Sequence, residues 1–309
     1  MELRQLRYFV AIVEHGSLSR AAGVLHVAQP ALTQQLRQLE QELGAQLLHR
    51  SAQGVHSTDA GKVFYEHAQA ILKQVADARS AVTQSARPSG TVTLGLPHSI
   101  SAALALPLLA AARNRYPDIT LQLTEELTGH LAEQLKSGRV NLAVLFDDGQ
   151  LTPFATMPLA EEALRFICRA DAPWFPKRAS VTLAEALQAT LILPGLQHGV
   201  RPRIEAVAHA AGLATAGVIE INSIAILKSA LMADMGATIL PVAPVLPEIE
   251  RGQMRWLDIR DPAISRTVVL CASRNLPPTT AARAISELAV DVVRQLCASG
   301  AWPGATLLA

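Results

Sequence analysis

The sequence predicts an α/β protein in which an all-α N-terminal segment and one long helix precede an α/β domain of two lobes. Three observations predict it. Residues 3–43 place apolar side chains at three- and four-residue steps, residues 58–86 sustain one unbroken 4-3 apolar repeat, and from residue 91 onward β-like runs alternate with helical ones. At 309 residues the chain also exceeds what one ordinary core accommodates.

Composition bounds the function classes. Half of the residues are hydrophobic, 17% are charged and the net charge is +1, which excludes a polyelectrolyte tail or extended disorder. Glu2, Arg4 and Arg7 interrupt the start, and no stretch reaches the roughly 18 consecutive apolar residues of a membrane span, so a cytoplasmic chain with no membrane partner is expected. Cys168, Cys271 and Cys297 are odd in number and far apart, which argues against a disulfide framework, a metal site or any cofactor. No HExxH, GxSxG, P-loop or paired catalytic carboxylates mark an enzyme.

The N-terminal elements follow from their spacing. Leu3, Leu6, Phe9, Val10 and Val13 form the stripe of a first helix that ends near Gly16. Ser17 or Ser19 caps a second, in which Ala21 and Ala22 let another helix cross closely. Pro30 suits the first turn of a third helix that stops at Gly44. Leu32, Leu36, Leu39 and Leu43 make its buried stripe, leaving Gln29, Ala31, Thr33, Gln34, Arg37 and Gln38 on other faces. Two short helices at a sharp turn, the second with a polar outer face, describe a helix-turn-helix. Residues 45–57 then read as a small β-wing turning at Gly54. Net charge gives no hint of nucleic-acid binding, because residues 1–57 hold Arg4, Arg7, Arg20, Arg37 and Arg50 against Glu2, Glu14, Glu40 and Glu42.

From the N-cap candidate Thr58 a linker helix runs to about Ala86, with Phe64, Ala68, Ile71, Val75, Ala78 and Val82 as a heptad seam. That seam pairs with a copy of itself or serves as intramolecular core. Residues 87–90, RPSG, read as a hinge. Beyond it, strands at 91–96, 119–125 and 141–146 alternate with helices at 102–116 and 131–137. A second set has strands at 165–168, 190–193, 218–221 and 238–240 with helices at 183–187, 201–211 and 223–235. The order implies two lobes on mostly parallel sheets. A strand at 267–271 and a helix at 279–298 close the fold, and residues 300–309 are expected to be disordered.

The run RYFVAIVEHGSLSRAAGVLHVAQPALTQQLRQLEQELGAQLLHR followed by STDAG resembles the N-terminus of LysR-type transcription regulators. LAVLF at 142–146, LILP at 191–194 and GATILP at 236–241 extend the likeness over nearly the whole chain, and HVAQPALTQQL, QLLHR and GTVTLGL are similar to the nitrogen-assimilation-control branch. The resemblance implies a winged helix-turn-helix at 1–57, a linker and dimerisation helix at 58–87 and, at 88–309, an effector domain like periplasmic solute-binding proteins. Its lobe I would comprise about 91–161 and 266–299, and lobe II about 162–265. It further implies a homodimer or homotetramer on double-stranded DNA, at an interrupted palindrome near promoters, and a ligand cleft between the lobes, where helix N-termini favour a small, anionic effector; regulation without a ligand, as in the nitrogen-assimilation-control branch, is the alternative.

A recognition helix enters the major groove with its N-terminal residues at base edges. That makes Gln29, Thr33, Gln34 and Arg37 the readers and Pro30 and Ala31 the residues that permit close approach, with a solvated helix face as the alternative. His49 and Arg50 of the wing would meet phosphate or the minor groove. Family members often carry a second basic residue where this chain has Gln53. For the effector, the resemblance points to strand ends and following helix starts: His98, Ser99, Ser101, Thr128, Phe146, His198, Val200 and Arg201. Ser99, Thr128 and Ser223 could equally be helix caps, and His98 a satisfied buried histidine. The cysteines sit in apolar patterns and read as packing rather than redox sensors. A solute carrier or enzyme on the same two-lobed fold is the competing reading.

Overall fold

The computed structural model describes every residue except 52–53, 83–86, 150, 174–177, 197–198, 216 and 309. Two compact units divide the chain, Met1–Gln84 with Ser137–Arg139 and Ser85–Lys136 with Val140–Ala309.

In the first unit, α1 (Leu3–His15) starts on a capping box between Glu2 and Gln5, and α2 (Leu18–Val24) starts on Ser17, whose hydroxyl accepts from the Arg20 N–H. α3 (Gln29–Leu43) carries Pro30 in its first turn and ends at Gly44. Leu6, Phe9, Ile12, Ala21, Ala22, Leu32, Leu36 and Leu39 close one core between the three helices. Leu43, expected in that stripe, is 40% exposed. The chain turns after it, Glu40 accepts from the N–H groups of Leu47 and Leu48, and those two leucines seal that end of the core instead.

β1 (Leu48–Ser51) and β2 (Gly54–Ser57) pair antiparallel as the wing. α4 (Asp59–Val82) packs against α1, with the Phe9 and Phe64 rings edge-on at 5.1 Å. Its seam therefore divides: Ala68 and half-buried Phe64 belong to the core of this unit, whereas Ile71 and Val82 are exposed, Val82 at 80%. Residues 83–86, in which the linker helix was expected to continue, lie outside the described residues.

The second unit holds a six-stranded sheet in the order β14-β6-β13-β5-β3-β4. Its strands are β3 (Gly90–Leu96), β4 (Ile119–Glu125), β5 (Leu142–Phe146), β6 (Phe154–Ala163), β13 (Ser265–Ser273) and β14 (Ala305–Leu307). Strand alternation explains how both faces are covered. Leu94, Val144, Val268 and Leu270 meet α5 (His98–Arg115) and α11 (Thr280–Ser299). Ala143, Leu145, Val269 and Cys271 face Leu131 and Leu135 of α6 (Thr128–Lys136) on the other side.

The remaining elements build a second core. β7 (Arg165–Arg169), β8 (Ser180–Thr182), β11 (Thr238–Leu240) and β12 (Met254–Arg260) form a sheet ordered β11-β7-β12-β8, beside the parallel pair β9 (Leu191–Leu193) and β10 (Val218–Glu220). α7 (Leu183–Ala186), α8 (Val200–Ala210) and α9 (Ile224–Met232) pack on them through Leu183, Ile204, Leu227 and Leu231, and the short α10 (Leu246–Glu250) precedes β12.

Two expectations fail here. The sheets are mixed rather than mostly parallel: β13 runs antiparallel to β5 and β6, and β14 to β6. The cause is the two-lobed path. β6 leads out of the large sheet into β7, β12 leads back into β13, and the returning strand must oppose the departing one. Residues 300–308 are also ordered, because Trp302 is 1% exposed and β14 extends the sheet edge.

Candidate functional site

The helix-turn-helix sets its polar residues by elimination. Leu32, Leu36 and Leu39 take the inner face of α3, so Gln29, Pro30, Ala31, Gln34 and Arg37 are exposed and Thr33 is half-buried at the margin. α2 braces the start of α3, since the Ser19 hydroxyl donates to Oε1 of Gln29 at 3.0 Å. The wing presents His49 opposite His56, with His49 exposed, and Arg50 opposite Val55. Gln53 lies outside the described residues.

In the second unit, His98, Ser99, Thr128, Phe146 and Val200 line one narrow cleft of about 40 Å³, together with Asn222, Ile224 and Arg266. Ser101 and Arg201 do not line it. The Ser101 hydroxyl donates back to the Pro97 carbonyl, and Arg201 is held by Glu205 at 2.9 Å and Glu220 at 2.8 Å. His198 lies outside the described residues. Ser99 is not a cap: α5 starts after Pro97, and the Ser99 hydroxyl accepts from Arg266 at 2.7 Å. Ser223 is one, accepting from the Ile226 N–H. His98 is half-buried with Nδ1 2.5 Å from the Glu125 carboxylate.

Arg266, absent from the sequence reading, organises this region. It is 3% exposed and its Nε and Nη2 donate to Oε2 of Glu162, itself 0% exposed, at 2.8 and 2.6 Å. Oε1 of Glu162 accepts from the Trp302 indole at 2.8 Å. The guanidinium lies 3.7 Å from the Phe146 ring centroid. Burial pulls the Arg266 pKa below its ordinary value, and Glu162 counters that pull. Among the described residues Nη1 finds no acceptor, and a buried donor left so costs about 1–3 kcal/mol. On the other side Phe146 crowds Gly199, where an added Cβ would come within 2.6 Å of the ring. A charge inside an apolar strand run was the available signal: Glu162 interrupts LAEEAL and Arg266 precedes TVVLC.

Cys168 and Cys271 are buried in the cores and Cys297 is half-buried. Burial pushes Cys168 and Cys271 up to about 12 and raises Cys297, so all three remain protonated at pH 8. Iodoacetamide at pH 8, followed by mass spectrometry, is expected to leave Cys168 and Cys271 unmodified in the folded chain and to label both in urea. Rapid native labelling of either would contradict their burial. Among the described residues no cluster of His, Cys, Asp or Glu could hold a metal, and no helix is long and apolar enough to cross a membrane.

Comparison with known proteins matches both units. Residues 3–62 match the bacterial regulatory helix-turn-helix protein, lysR family, and residues 85–294 match the LysR substrate binding domain. The chain is 36% identical over 297 residues to the nitrogen assimilation regulatory protein nac of Klebsiella aerogenes, covering 95% of each, and equally so to that of Escherichia coli K12. A full-length OxyR from Pseudomonas aeruginosa has the same fold, with a TM-score of 0.70, 24% identity and coverage of 99% of this chain and 98% of that one. The chain belongs to the LysR family of DNA-binding transcription regulators, non-enzymatic proteins in which a helix-turn-helix is joined to a substrate-binding domain.

Proposed function

We propose that α3 reads the major groove through Gln29, Thr33, Gln34 and Arg37, with Pro30 and Ala31 allowing close approach and His49 and Arg50 meeting the backbone. The observation that carries this reading is the division of α3, whose Leu32, Leu36 and Leu39 are buried in the core while its polar N-terminal face is exposed. A Gln amide can pair with adenine and Arg with guanine or phosphate. Because the N-terminal segment is nearly neutral, two copies are needed to accumulate affinity. The C-terminal part of the α4 seam, where Ile71, Ala78 and Val82 are exposed and Val75 is half-buried, is the surface through which they pair, as a dimer or tetramer on an interrupted palindrome. The cleft of the second unit takes a small anionic metabolite that tunes DNA occupancy, in a cytoplasmic setting.

Gln29→Ala and Thr33→Ala are each expected to weaken specific binding by about 1–3 kcal/mol while leaving self-association intact. Fluorescence anisotropy with promoter fragments and an unrelated duplex measures the first, and sedimentation the second. Unchanged sequence preference in both variants would remove α3 from the reading role.

A further inference from the structure

We infer that Arg266 is the anion-recognising residue of the substrate-binding domain, and that its ligand is a small monocarboxylate seated on Nη1 after the Phe146 ring moves aside. This rests on the reading above that the domain senses a small molecule, and adds the ligand class and the residue that holds it.

The guanidinium fork is half used. Nε and Nη2 both serve Oε2 of Glu162, Nη2 also serves Ser99, and the remaining arm, Nη1, is buried with no acceptor among the described residues. Such an arm suits a planar oxyanion. Arg266, Phe146, Thr128 and Gly199 line both the 40 Å³ cleft and an adjoining cavity of about 540 Å³. The cleft alone has room for little more than water. Phe146, whose ring stacks on the guanidinium, is itself in the lining of both spaces, and the inferred ligand seat requires that ring to move.

Helix polarity points to the same charge. α5, α6, α8 and α9 all begin on the cleft, at His98, Thr128, Val200 and Ile224, and α5 and α8 begin without a side-chain cap. First-turn N–H groups favour an anion there. The number of charges is limited to one, because Glu162 already offsets Arg266, and Glu126, paired at 3.6 Å with His130, also lines the cleft. Pro97, Pro194, Ile221, Leu227 and Leu240 supply walls for an apolar body rather than for a phosphate.

Calorimetric titration of the full chain with acetate, butyrate and benzoate in chloride buffer tests this, with inorganic phosphate for comparison. Saturable binding of a carboxylate, tighter than phosphate, is expected. Arg266→Lys keeps a cation for Glu162 but lacks the free arm, and should weaken binding at least tenfold. Phe146→Leu, which preserves the ion pair, should tighten binding about threefold or more. No saturable binding by any of the three carboxylates, tighter binding of phosphate, native affinity in a folded Arg266→Lys chain, or unchanged affinity in Phe146→Leu overturns the proposal. Promoter anisotropy run in parallel separates the readings. A carboxylate that binds through Arg266 without altering DNA affinity supports the site and defeats effector sensing, and loss of DNA recognition alone leaves the site standing.

Discussion

Glu162→Ala is expected to destabilise the α/β unit by about 3–5 kcal/mol, the cost of stripping a buried charge of its partner. Both carboxylate oxygens are engaged, Oε2 by two guanidinium nitrogens and Oε1 by the Trp302 indole, so the substitution leaves Nε and the indole unmet beside Nη1, and leaves Nη2 only its bond to Ser99. Little of this charge is screened, because neither Arg266 nor Glu162 reaches solvent. The pair also lies on β6 and β13, the strands that border the two passages between the sheets, so its loss loosens the place where the lobes join. Urea unfolding of the α/β unit measures the effect. Replacing both partners, Glu162→Leu with Arg266→Leu, is expected to recover most of the loss, since no charge is then left unpaired. A double variant as unstable as the single one would show that packing volume, not uncompensated charge, sets the cost.

Much of the fold is legible because periodicity survives where packing is one-sided. The stripe through Leu6 and Phe9 marks α1, and the run LAVLF is recognisable as β5 because a strand covered on both faces must be apolar throughout. The same logic fails for β6. Its segment FATMPLAEEA holds a proline and two adjacent glutamates, and it pairs across its length with β13 nonetheless. Polar partners distant in sequence make this tolerable: Glu161 is held by Ser265 and Thr267, and Glu162 by Arg266 and Trp302. The tail shows the same effect, because its order comes from Trp302 entering a core assembled by other segments.

The site divides along similar lines. His98, Ser99, Thr128, Phe146 and Val200 are found together because each follows a strand and opens a helix or closes a strand, positions that local pattern reveals. Arg201 has an equally promising position, yet Glu205 and Glu220 hold its guanidinium away from the cleft. Arg266 is the reverse case. It sits where a strand looks merely amphipathic, and only the folded pairing of β13 with β6 reveals its carboxylate partner. The seam on α4 looks like one surface in sequence for a similar reason, since spacing cannot tell that α1 covers Phe64 and Ala68 while leaving Val82 exposed.

Gly61→Ala is expected to cost about 3 kcal/mol and to abolish specific DNA binding, an overpacking effect at the upper end of the usual range. The STDAG run explains it physically. Thr58 caps α4 by accepting from the Gly61 N–H at 2.9 Å, while its own N–H donates to the Leu47 carbonyl at 2.9 Å and its hydroxyl to that of Gln46 at 2.7 Å. These bonds draw the first turn of α4 onto the strand entry so closely that an added Cβ would stand 2.0 Å from the Leu47 oxygen and 3.0 Å from its carbon. Backbone pinned by Thr58 cannot yield as a flexible side chain would. The turn must part from Leu47, and β1 and β2, whose chain leaves from Leu48 and returns at Ser57, shift with it relative to α3. Thermal unfolding reads the first consequence and promoter anisotropy the second. Gly23→Ala provides the contrast, since an added Cβ within α2 meets nothing within 4 Å. It is expected to stabilise the helix by about 0.5–1 kcal/mol. Equal behaviour of the two variants would mean that the approach of Gly61 to Leu47 does not fix the wing.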